Sequence, residues 1–199
     1  MDLRGRKLIL GSQSPRRKSL LEGLDVSFTV DTRNNFEEPD LPHGEMSLSD
    51  ARNVPLMLSK GKSHGFHRPL LPDEILLTAD TVVIAGGRIL GKPANPAEAA
   101  EMLRLLSGRD HEVVTGVVLR CSEREVSFTD TTLVGFSELT EDEISYYINK
   151  YRPFDKAGSY GVQEWIGYAK IGRIEGSYYN VMGLPVHKVY SELQKFLSE

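Results

Sequence analysis

The chain has 199 residues, with 24 lysines and arginines against 28 aspartates and glutamates, which gives a formal net charge of −4. Its 40% hydrophobic and 26% charged residues are typical of a globular protein and exclude a disordered or fibrous one. The length predicts a single domain over residues 1–199, because domains commonly have about 100–200 residues.

Hydropathy and cysteine content exclude further classes of protein. No apolar run approaches the roughly 20 residues of a membrane helix. The apolar stretch at 8–11 is too short for the core of a secretory signal. The single cysteine, Cys121, excludes an internal disulfide and a cysteine-based zinc site, and we interpret it as a small buried hydrophobe. These features favour a reducing, cytoplasmic setting, and the mild acidity does not favour binding of long nucleic acid.

Strand-like and helix-like stretches alternate along the chain, which predicts an α/β fold class. In chain order the predicted elements are strand 7–10, helix 15–24, strand 26–32, loop 33–45, helix 49–64, strand 76–84, hairpin 85–90, helix 95–106, strands 112–121 and 125–137, a helix from 140 that ends before 153, a loop or short helix at 155–161, strands 167–174 and 178–181, and a last helix from 184.

Several helix ends carry local signals. Ser14 and Asn95 are good N-caps ahead of a proline at the first helical position. Thr140 and Glu143 form the pattern of a capping box. Pro55 predicts a break or restart inside the second helix. The last helix has an apolar stripe of Val186, Val189, Leu193 and Phe196.

The first candidate site follows the first strand. Residues 12–18 combine two serines, a helix start and three cations. A helix N-terminus favours a bound phosphate, and arginine can hold phosphate through two parallel hydrogen bonds. The alternative is a capped helix with a solvated basic face.

Asp80 interrupts an otherwise apolar strand. A buried carboxylate is costly unless it is paired, hydrogen-bonded or bound to metal, and functional acids often accept that cost. Asp80 could activate water or hold a cation, or form a local turn bond at a strand end. The apolar run that continues at 82–84 favours the functional interpretation. Lys92, just after the next strand, could neutralise a phosphate, pair with Asp80 or be an ordinary exposed lysine.

Two loops complete the candidate set. Glu37 and Glu38 could supply hard oxygen ligands for Mg²⁺, or simply belong to a solvated acidic loop. Residues 155–163 are rich in glycine. Their last residue, Gln163, could recognise a base edge through its amide, unless the segment is an ordinary connection.

Taken together and in chain order, these sequence segments resemble those of the Maf family of nucleoside triphosphate pyrophosphatases over nearly the whole chain. The blocks that carry the resemblance are 12–17, 36–38, 58–63, 79–83, 91–93, 102–111, 155–158, 161–163 and 179–185. The resemblance implies an elongated mixed sheet flanked by helices, with two lobes around a deep nucleotide cleft. It also implies cleavage between the α and β phosphates to a monophosphate and pyrophosphate, with Mg²⁺ or Mn²⁺, and a homodimer in many members.

The resemblance also assigns roles to single residues. It implies that Asp80 is the proton acceptor and that Asp80 and Glu38 are linked to metal binding, although Glu37 remains an alternative to Glu38. The residues that match its phosphate-binding positions are Ser12, Ser14, Arg17, Lys62 and Lys92.

Three positions indicate the branch of the family. Members that resemble dTTP/UTP pyrophosphatases have arginine, threonine and glutamine where this chain has Arg16, Thr81 and Gln163. Members that resemble 7-methyl-GTP pyrophosphatases have an aromatic residue, often glutamine, and glutamate there. A glutamine amide both donates and accepts, as the carbonyl and imide edge of a pyrimidine requires. The substrate is left open among dTTP, UTP, dUTP and modified pyrimidine nucleotides.

Two other functions compete with hydrolysis. One is a nucleotide-binding regulator of cell division that does not hydrolyse its ligand, which the intact Asp80, Lys62 and Lys92 argue against. The other is a small RNA-binding module that uses residues 16–18. The net charge of −4 and the lack of interleaved aromatic residues disfavour it.

Overall fold

A computed structural model of the protein describes residues 2–39 and 46–198, so residues 40–45 of the predicted loop lie outside it. The strands are β1 (Lys7–Leu10), β2 (Phe28–Val30), β3 (Glu74–Ala85), β4 (Arg88–Leu90), β5 (Asp110–Arg120), β6 (Glu125–Phe136) and β7 (Ile171–Glu175). The helices are α1 (Pro15–Glu22), α2 (Leu48–His64), α3 (Pro96–Leu106), α4 (Glu141–Tyr151), α5 (Trp165–Lys170), α6 (Tyr178–Met182) and α7 (Val186–Ser198), with a 3₁₀ turn at Ala157–Ser159.

The described strands form one mixed sheet in the order β2-β1-β3-β5-β6-β7, with β4 paired to β3. β1 is parallel to β2 and β3, whereas the other pairs are antiparallel. The predicted α/β class and the mixed sheet flanked by helices are therefore confirmed.

The two edges of β3 are paired differently. One edge pairs with β5 without interruption from Leu76 to Ile84. The other edge of β3 pairs with β1 only as far as Leu77 and with β4 only from Val83 onward. Within the described chain, residues 78–82 therefore have no strand neighbour on that edge, and the sheet splits there.

Separate apolar cores lie on either side of this split. The first packs β1 and the start of β3 against α1 and α7, and it includes the whole predicted stripe of α7. The second packs the end of β3 and β4 against α3 and α4. A smaller cluster between Val54, Leu58 and Val82 holds α2 on the sheet. These two main cores correspond to the two predicted lobes.

The predicted break at Pro55 is wrong, because α2 runs without interruption through this proline. Pro55 is buried, and a Cβ atom added to Gly116 of β5 would overlap the backbone of Leu56. The glycine thus lets α2 lie unusually close to the sheet. The packing gained there offsets the backbone hydrogen bond that a proline removes.

Of two predicted strands near the C-terminus, one is wrong in its first half and the other is wrong throughout. In the first, residues 167–170 belong to helix α5, and only 171–174 form the predicted strand, as part of β7. The second, 178–181, lies in helix α6. Ser177 caps α6 by accepting the Asn180 N–H at 3.2 Å, and the buried Asn180 amide donates to Thr132 Oγ1 at 3.0 Å. These contacts outweigh the strand preference of the aromatic and β-branched residues.

Two of the class exclusions can be compared with the structure. Cys121 is buried and forms no disulfide. No helix within residues 2–39 and 46–198 has both the length and the apolar character that a bilayer crossing requires.

His111 is a polar residue inside the second core. Its ring makes edge contacts with Phe136 and Tyr160, and its Nε2 atom lies 2.7 Å from the Tyr160 hydroxyl. Burial lowers the pKa of His111 to about 4, so the folded protein keeps this imidazole neutral over most of the acidic range.

This burial predicts a specific loss of stability in acid. The unfolded chain binds a proton at His111 near pH 6.5, whereas the folded chain does so only near pH 4. The contribution of the neutral ring to the free energy of unfolding is therefore fully present above pH 6.5. It decreases as the pH falls from 6.5 towards 4, and the loss is about 2–3 kcal/mol at pH 4.5. Urea unfolding between pH 7.5 and pH 4.5 measures the loss. His111→Gln, which cannot titrate there, should show a flatter profile, and parallel profiles would contradict the prediction.

Candidate functional site

A cavity of about 690 Å³ opens where the sheet splits beside β3. All ten predicted site residues line it: Ser12, Ser14, Arg16, Arg17, Glu38, Lys62, Asp80, Thr81, Lys92 and Gln163. Segments that are far apart in sequence therefore meet at one place. Glu37 is not part of the wall, which distinguishes it from Glu38.

Asp80 and Thr81 are neighbours on β3, and successive residues of a strand point to opposite faces. Asp80 meets Lys62, which α2 brings across one face. Thr81 meets Arg17 of α1 and Thr115 of β5 on the other face. The strand thus presents a carboxylate and a hydroxyl to two different walls of the cavity.

Lys62 joins two carboxylates. Its ammonium contacts Asp80 Oδ2 and lies 2.7 Å from Glu38 Oε1. The other Asp80 oxygen, Oδ1, accepts the backbone N–H of Thr81 at 2.9 Å. Both oxygens of Asp80 are therefore engaged. The pairing of Asp80 with Lys92, one of the alternatives for that lysine, does not form.

The position of Lys62 depends on a buried contact one helical turn earlier. Thr78 of β3 donates its hydroxyl to the Ser59 carbonyl at 2.8 Å, and the two side-chain oxygens are 3.2 Å apart. Both residues are buried. This contact fixes α2 against β3 at the level where Lys62 reaches the cavity.

Arg17 is held by neutral acceptors from three separate segments of the chain. Its guanidinium donates to the Gly183 carbonyl at 2.8 Å, to Thr81 Oγ1 at 3.0 Å and to Ser12 Oγ at 3.3 Å. Burial lowers the pKa of Arg17, and the nearby Asp80 carboxylate opposes that shift. In the described chain no carboxylate contacts this guanidinium, so its orientation is fixed while its charge remains available to an anion.

The start of α1 combines the two interpretations of the serine-rich segment. Ser14 is the N-cap, since its hydroxyl oxygen accepts the Arg17 N–H at 3.4 Å, and Ser14 N–H donates to Ser12 Oγ at 3.3 Å. The capped helix start lies in the cavity wall. Its partial positive charge therefore faces the same space as Arg17.

Lys92 is exposed at the cavity wall. It makes no hydrogen bond or ion pair with any residue in the described ranges. Its ammonium group is therefore a second cation that is available to a ligand.

Arg16 points away from Arg17 and toward the glycine-rich segment. It lies 2.5 Å from Asp155 Oδ2 and donates to the Asp155 carbonyl at 3.2 Å. Desolvation alone would raise the pKa of Asp155, but hydrogen bonds from Lys156 and Arg16 outweigh it and lower the pKa to about 2. The carboxylate stays ionised and keeps Arg16 in place.

Gln163 occupies the same end of the cavity. Its amide oxygen is buried and has no hydrogen-bond partner in the described chain. A buried acceptor without a partner costs roughly 1–3 kcal/mol, so the site is arranged to receive a donor from a ligand. Thr81, the third position that indicates the branch of the family, has its Oγ1 atom 2.9 Å from the buried Thr115 hydroxyl.

The cavity wall supplies carboxylates, the ligand type that a divalent metal such as Mg²⁺ prefers. Among the described residues, no three histidine, cysteine, aspartate or glutamate side chains are arranged so that they could hold a metal ion by themselves. Asp80 and Glu38 nevertheless converge on one Lys62 ammonium. Mg²⁺ in nucleotide sites is commonly held by one or two carboxylates together with substrate phosphates, so the residues present fit a metal that arrives with a polyphosphate.

Sequence reasoning missed the residues that support the site. Lys156 and Glu164 form a buried ion pair at 3.0 Å, and the Tyr147 hydroxyl bonds Glu164. The glutamate follows Gln163 directly, at the end of the glycine-rich segment 155–163, but the sequence alone does not reveal its contact with Tyr147.

The comparisons with known proteins agree with the geometry. The chain is 51% identical over 197 residues to a dTTP/UTP pyrophosphatase of Porphyromonas gingivalis, with 98% of this chain and 96% of that protein covered. It is 47% identical over 191 residues to the protein of the same name from Bacteroides fragilis, with 95% of both covered. A third, from Parabacteroides distasonis, is 44% identical over 197 residues, with 98% of both covered.

The sequence model of the Maf-like protein family matches residues 7–196. This range includes every residue of the cavity wall. With this match, and with relatives of 44–51% identity over nearly the full length, the chain belongs to the Maf family.

Proposed function

We propose that this protein is a nucleoside triphosphate pyrophosphatase that hydrolyses dTTP and UTP to the monophosphate and pyrophosphate. The observation that supports it best is the half-buried Asp80 facing a group of cations in one cavity. The printed names of the relatives support the choice of nucleotides. Related substrates are dUTP and modified pyrimidine nucleotides. We also propose that residues 1–199 form one domain and that the protein acts in the cytoplasm. We further propose that it forms a homodimer, which light scattering would test.

Binding of the triphosphate is assigned to the cations and donors around α1. A nucleoside triphosphate carries about four negative charges, and phosphate transfer is catalysed mainly by positioning and charge stabilisation. Arg17 and Lys92 contact no carboxylate in the described chain, so their charges are free for the ligand. Ser12, Ser14 and the helix start add hydrogen-bond donors.

The attack of water on the α-phosphorus is assigned to Asp80. Its carboxylate would orient the water and accept its proton. The Thr81 N–H and the Lys62 ammonium hold the two carboxylate oxygens, so Asp80 is fixed before substrate binds. Lys62, Lys92 and Arg17 would stabilise the charge that develops on the pyrophosphate as it leaves.

Asp80 and Glu38 are the residues that would hold a divalent metal, Mg²⁺ or Mn²⁺. When bound, such an ion supplies charge neutralisation at the phosphate oxygens. Glu38 lies in the cavity wall and shares Lys62 with Asp80, which supports it over Glu37 as the second acid.

Recognition of the base is assigned to Arg16, Thr81 and Gln163. The unpartnered Gln163 amide oxygen could accept the imide N–H of a pyrimidine, while its NH₂ group could donate to a neighbouring carbonyl. Arg16 closes the same end of the cavity through its contact with Asp155.

The alternative considered from the sequence is a nucleotide-binding regulator of cell division that does not hydrolyse its ligand, and the printed names of the relatives support hydrolysis instead. It shares the phosphate-binding residues but has no need of the engaged Asp80 carboxylate. Pyrophosphate release from a panel of nucleoside triphosphates, with and without Mn²⁺, separates the two, because a regulator of this kind would bind nucleotide and release none.

Replacement of the proton acceptor provides the first test of the mechanism. Asp80→Asn keeps the shape but removes the base, so kcat for pyrophosphate release from dTTP should fall by about 10²–10⁴-fold. The matched control is Asp73→Asn, whose carboxylate pairs with Lys7 at 2.8 Å outside the cavity and should leave kcat unchanged. Full activity of the Asp80 variant would show that its assigned role is wrong.

Base choice is tested at Gln163. Gln163→Glu replaces a group that donates and accepts with one that only accepts when ionised. The ratio of kcat/KM for UTP over GTP should therefore fall, by about tenfold for the loss of one polar match. Steady-state kinetics on both nucleotides measure it, and an unchanged ratio would remove Gln163 from base recognition.

The choice between the two glutamates is tested by metal dependence. Glu38→Gln should raise the Mn²⁺ concentration needed for half-maximal activity by at least about tenfold, since a carboxylate of the metal set is lost. Glu37→Gln is the control, because Glu37 lies outside the cavity wall. Equal metal dependence in the two variants would contradict the assignment of Glu38.

A further inference from the structure

A chain of polar contacts extends beneath the end of the cavity where Arg16 and Gln163 lie. It begins at the contact between Arg16 and Asp155 described above. The other oxygen of Asp155 lies 2.8 Å from Lys156 Nζ, and the same ammonium lies 3.0 Å from Glu164 Oε1. The second oxygen of Glu164 accepts the hydroxyl of Tyr147 on α4.

The far end of the chain returns to the backbone next to Gln163. The Tyr147 oxygen accepts the Gly161 N–H at 2.9 Å. A Cβ atom added to Gly161 would lie 2.9 Å from Glu164 Cδ, 3.0 Å from Lys156 Cε and 3.1 Å from Gln163 Nε2. Glycine at this position therefore lets three side chains converge, one of which is the base-reading amide.

The inner members of this chain are largely buried, whereas the Asp155 side chain is 54% exposed. Tyr147 is fully buried, Lys156 is 7% exposed and the Glu164 side chain is 17% exposed. Charges buried in this way are seldom more stabilising than an apolar core of the same volume. A gain in stability is thus a weak explanation for the buried contacts between Lys156, Glu164 and Tyr147. Such contacts are better suited to fixing the positions of neighbouring groups.

Gln163 itself supplies little to fix its own position. Its amide oxygen has no partner in the described chain, and its backbone lies between Gly161 and Glu164, which are both anchored by Tyr147. Arg16, at the opposite end of the contacts, is anchored by Asp155. One connected set of residues thus supports both of these groups.

We propose that Tyr147 and Glu164 are positioning residues for base selectivity, which fix the backbone on either side of Gln163 and hold Arg16 through Lys156 and Asp155. This inference rests on the proposed function and deepens it. Neither residue is part of the cavity wall, so both act on the base only through the residues they hold.

The test compares two neighbouring tyrosines. Tyr147→Phe removes the hydroxyl that bonds Glu164 and Gly161. Tyr146→Phe, on the same helix, removes an exposed hydroxyl that bonds only Lys150 among the described residues. Tyr147→Phe should lower the ratio of kcat/KM for UTP over GTP by about tenfold, mainly through a higher KM for UTP. Tyr146→Phe should leave the ratio unchanged.

Glu164→Gln is the second variant, because Tyr147→Phe could weaken folding. It keeps the size of the side chain and removes the charge that pairs with Lys156. Melting curves identify which variants are folded, and the folded ones are compared. A lowered UTP preference in either folded variant supports the proposal. An unchanged preference, or an equal loss of kcat with both nucleotides, overturns it.

A binding measurement keeps this test separate from that of the proposed function. Titration calorimetry with UTP and with GTP, in the presence of EDTA, measures the preference without hydrolysis. A wild-type protein that prefers UTP in binding but releases no pyrophosphate would contradict the proposed activity alone. A wild-type protein that binds UTP and GTP equally well would overturn the positioning role. If the wild type releases pyrophosphate and both variants keep its preference for UTP, only the positioning role is overturned.

Discussion

The site depends on one constraint, the unpaired stretch of β3 between the end of its pairing with β1 and the start of its pairing with β4. A strand that is hydrogen-bonded to neighbouring strands along both edges would leave no opening for a ligand. Here the opposite edge is fully paired with β5, so the strand stays rigid while one side is open. The polar residues Asp80 and Thr81 lie in this open stretch, which explains how polar groups are accommodated within an otherwise apolar strand.

The alternation of side chains along β3 then divides the work of the site. Asp80 faces α2 and its lysine, whereas Thr81 faces α1, Thr115 and the carbonyl of Gly183. The carboxylate assigned to chemistry and the hydroxyl assigned to recognition are thus adjacent in sequence but belong to different walls. Each wall is anchored by its own buried contacts, so that a change in one need not disturb the other.

Local signals predicted much of the fold and of the site, and long-range packing accounts for what they missed. Ser14, Asn95 and the Thr140 capping box begin helices as expected, because a cap depends only on nearby residues. Pro55 and the segment 178–181 were misjudged because a close approach at Gly116 and the buried amide of Asn180 decide their structure. The site residues line one cavity, but their supporting contacts join residues up to 166 positions apart.

Pairing, rather than the number of basic residues, determines which cations are available to a ligand. Arg16 and Lys156 are neutralised by Asp155 and Glu164, and Lys62 is shared by two carboxylates. Arg16 and Lys156 keep the groups around them in place, whereas Lys62 is positioned by its two carboxylates at the cavity, where it can also meet a phosphate. Arg17 and Lys92 contact no carboxylate in the described ranges, and so they give the cavity a positive region inside a protein whose net charge is −4. A local field of this kind is sufficient to attract a small polyanion, because a triphosphate samples only the charges that line its cleft.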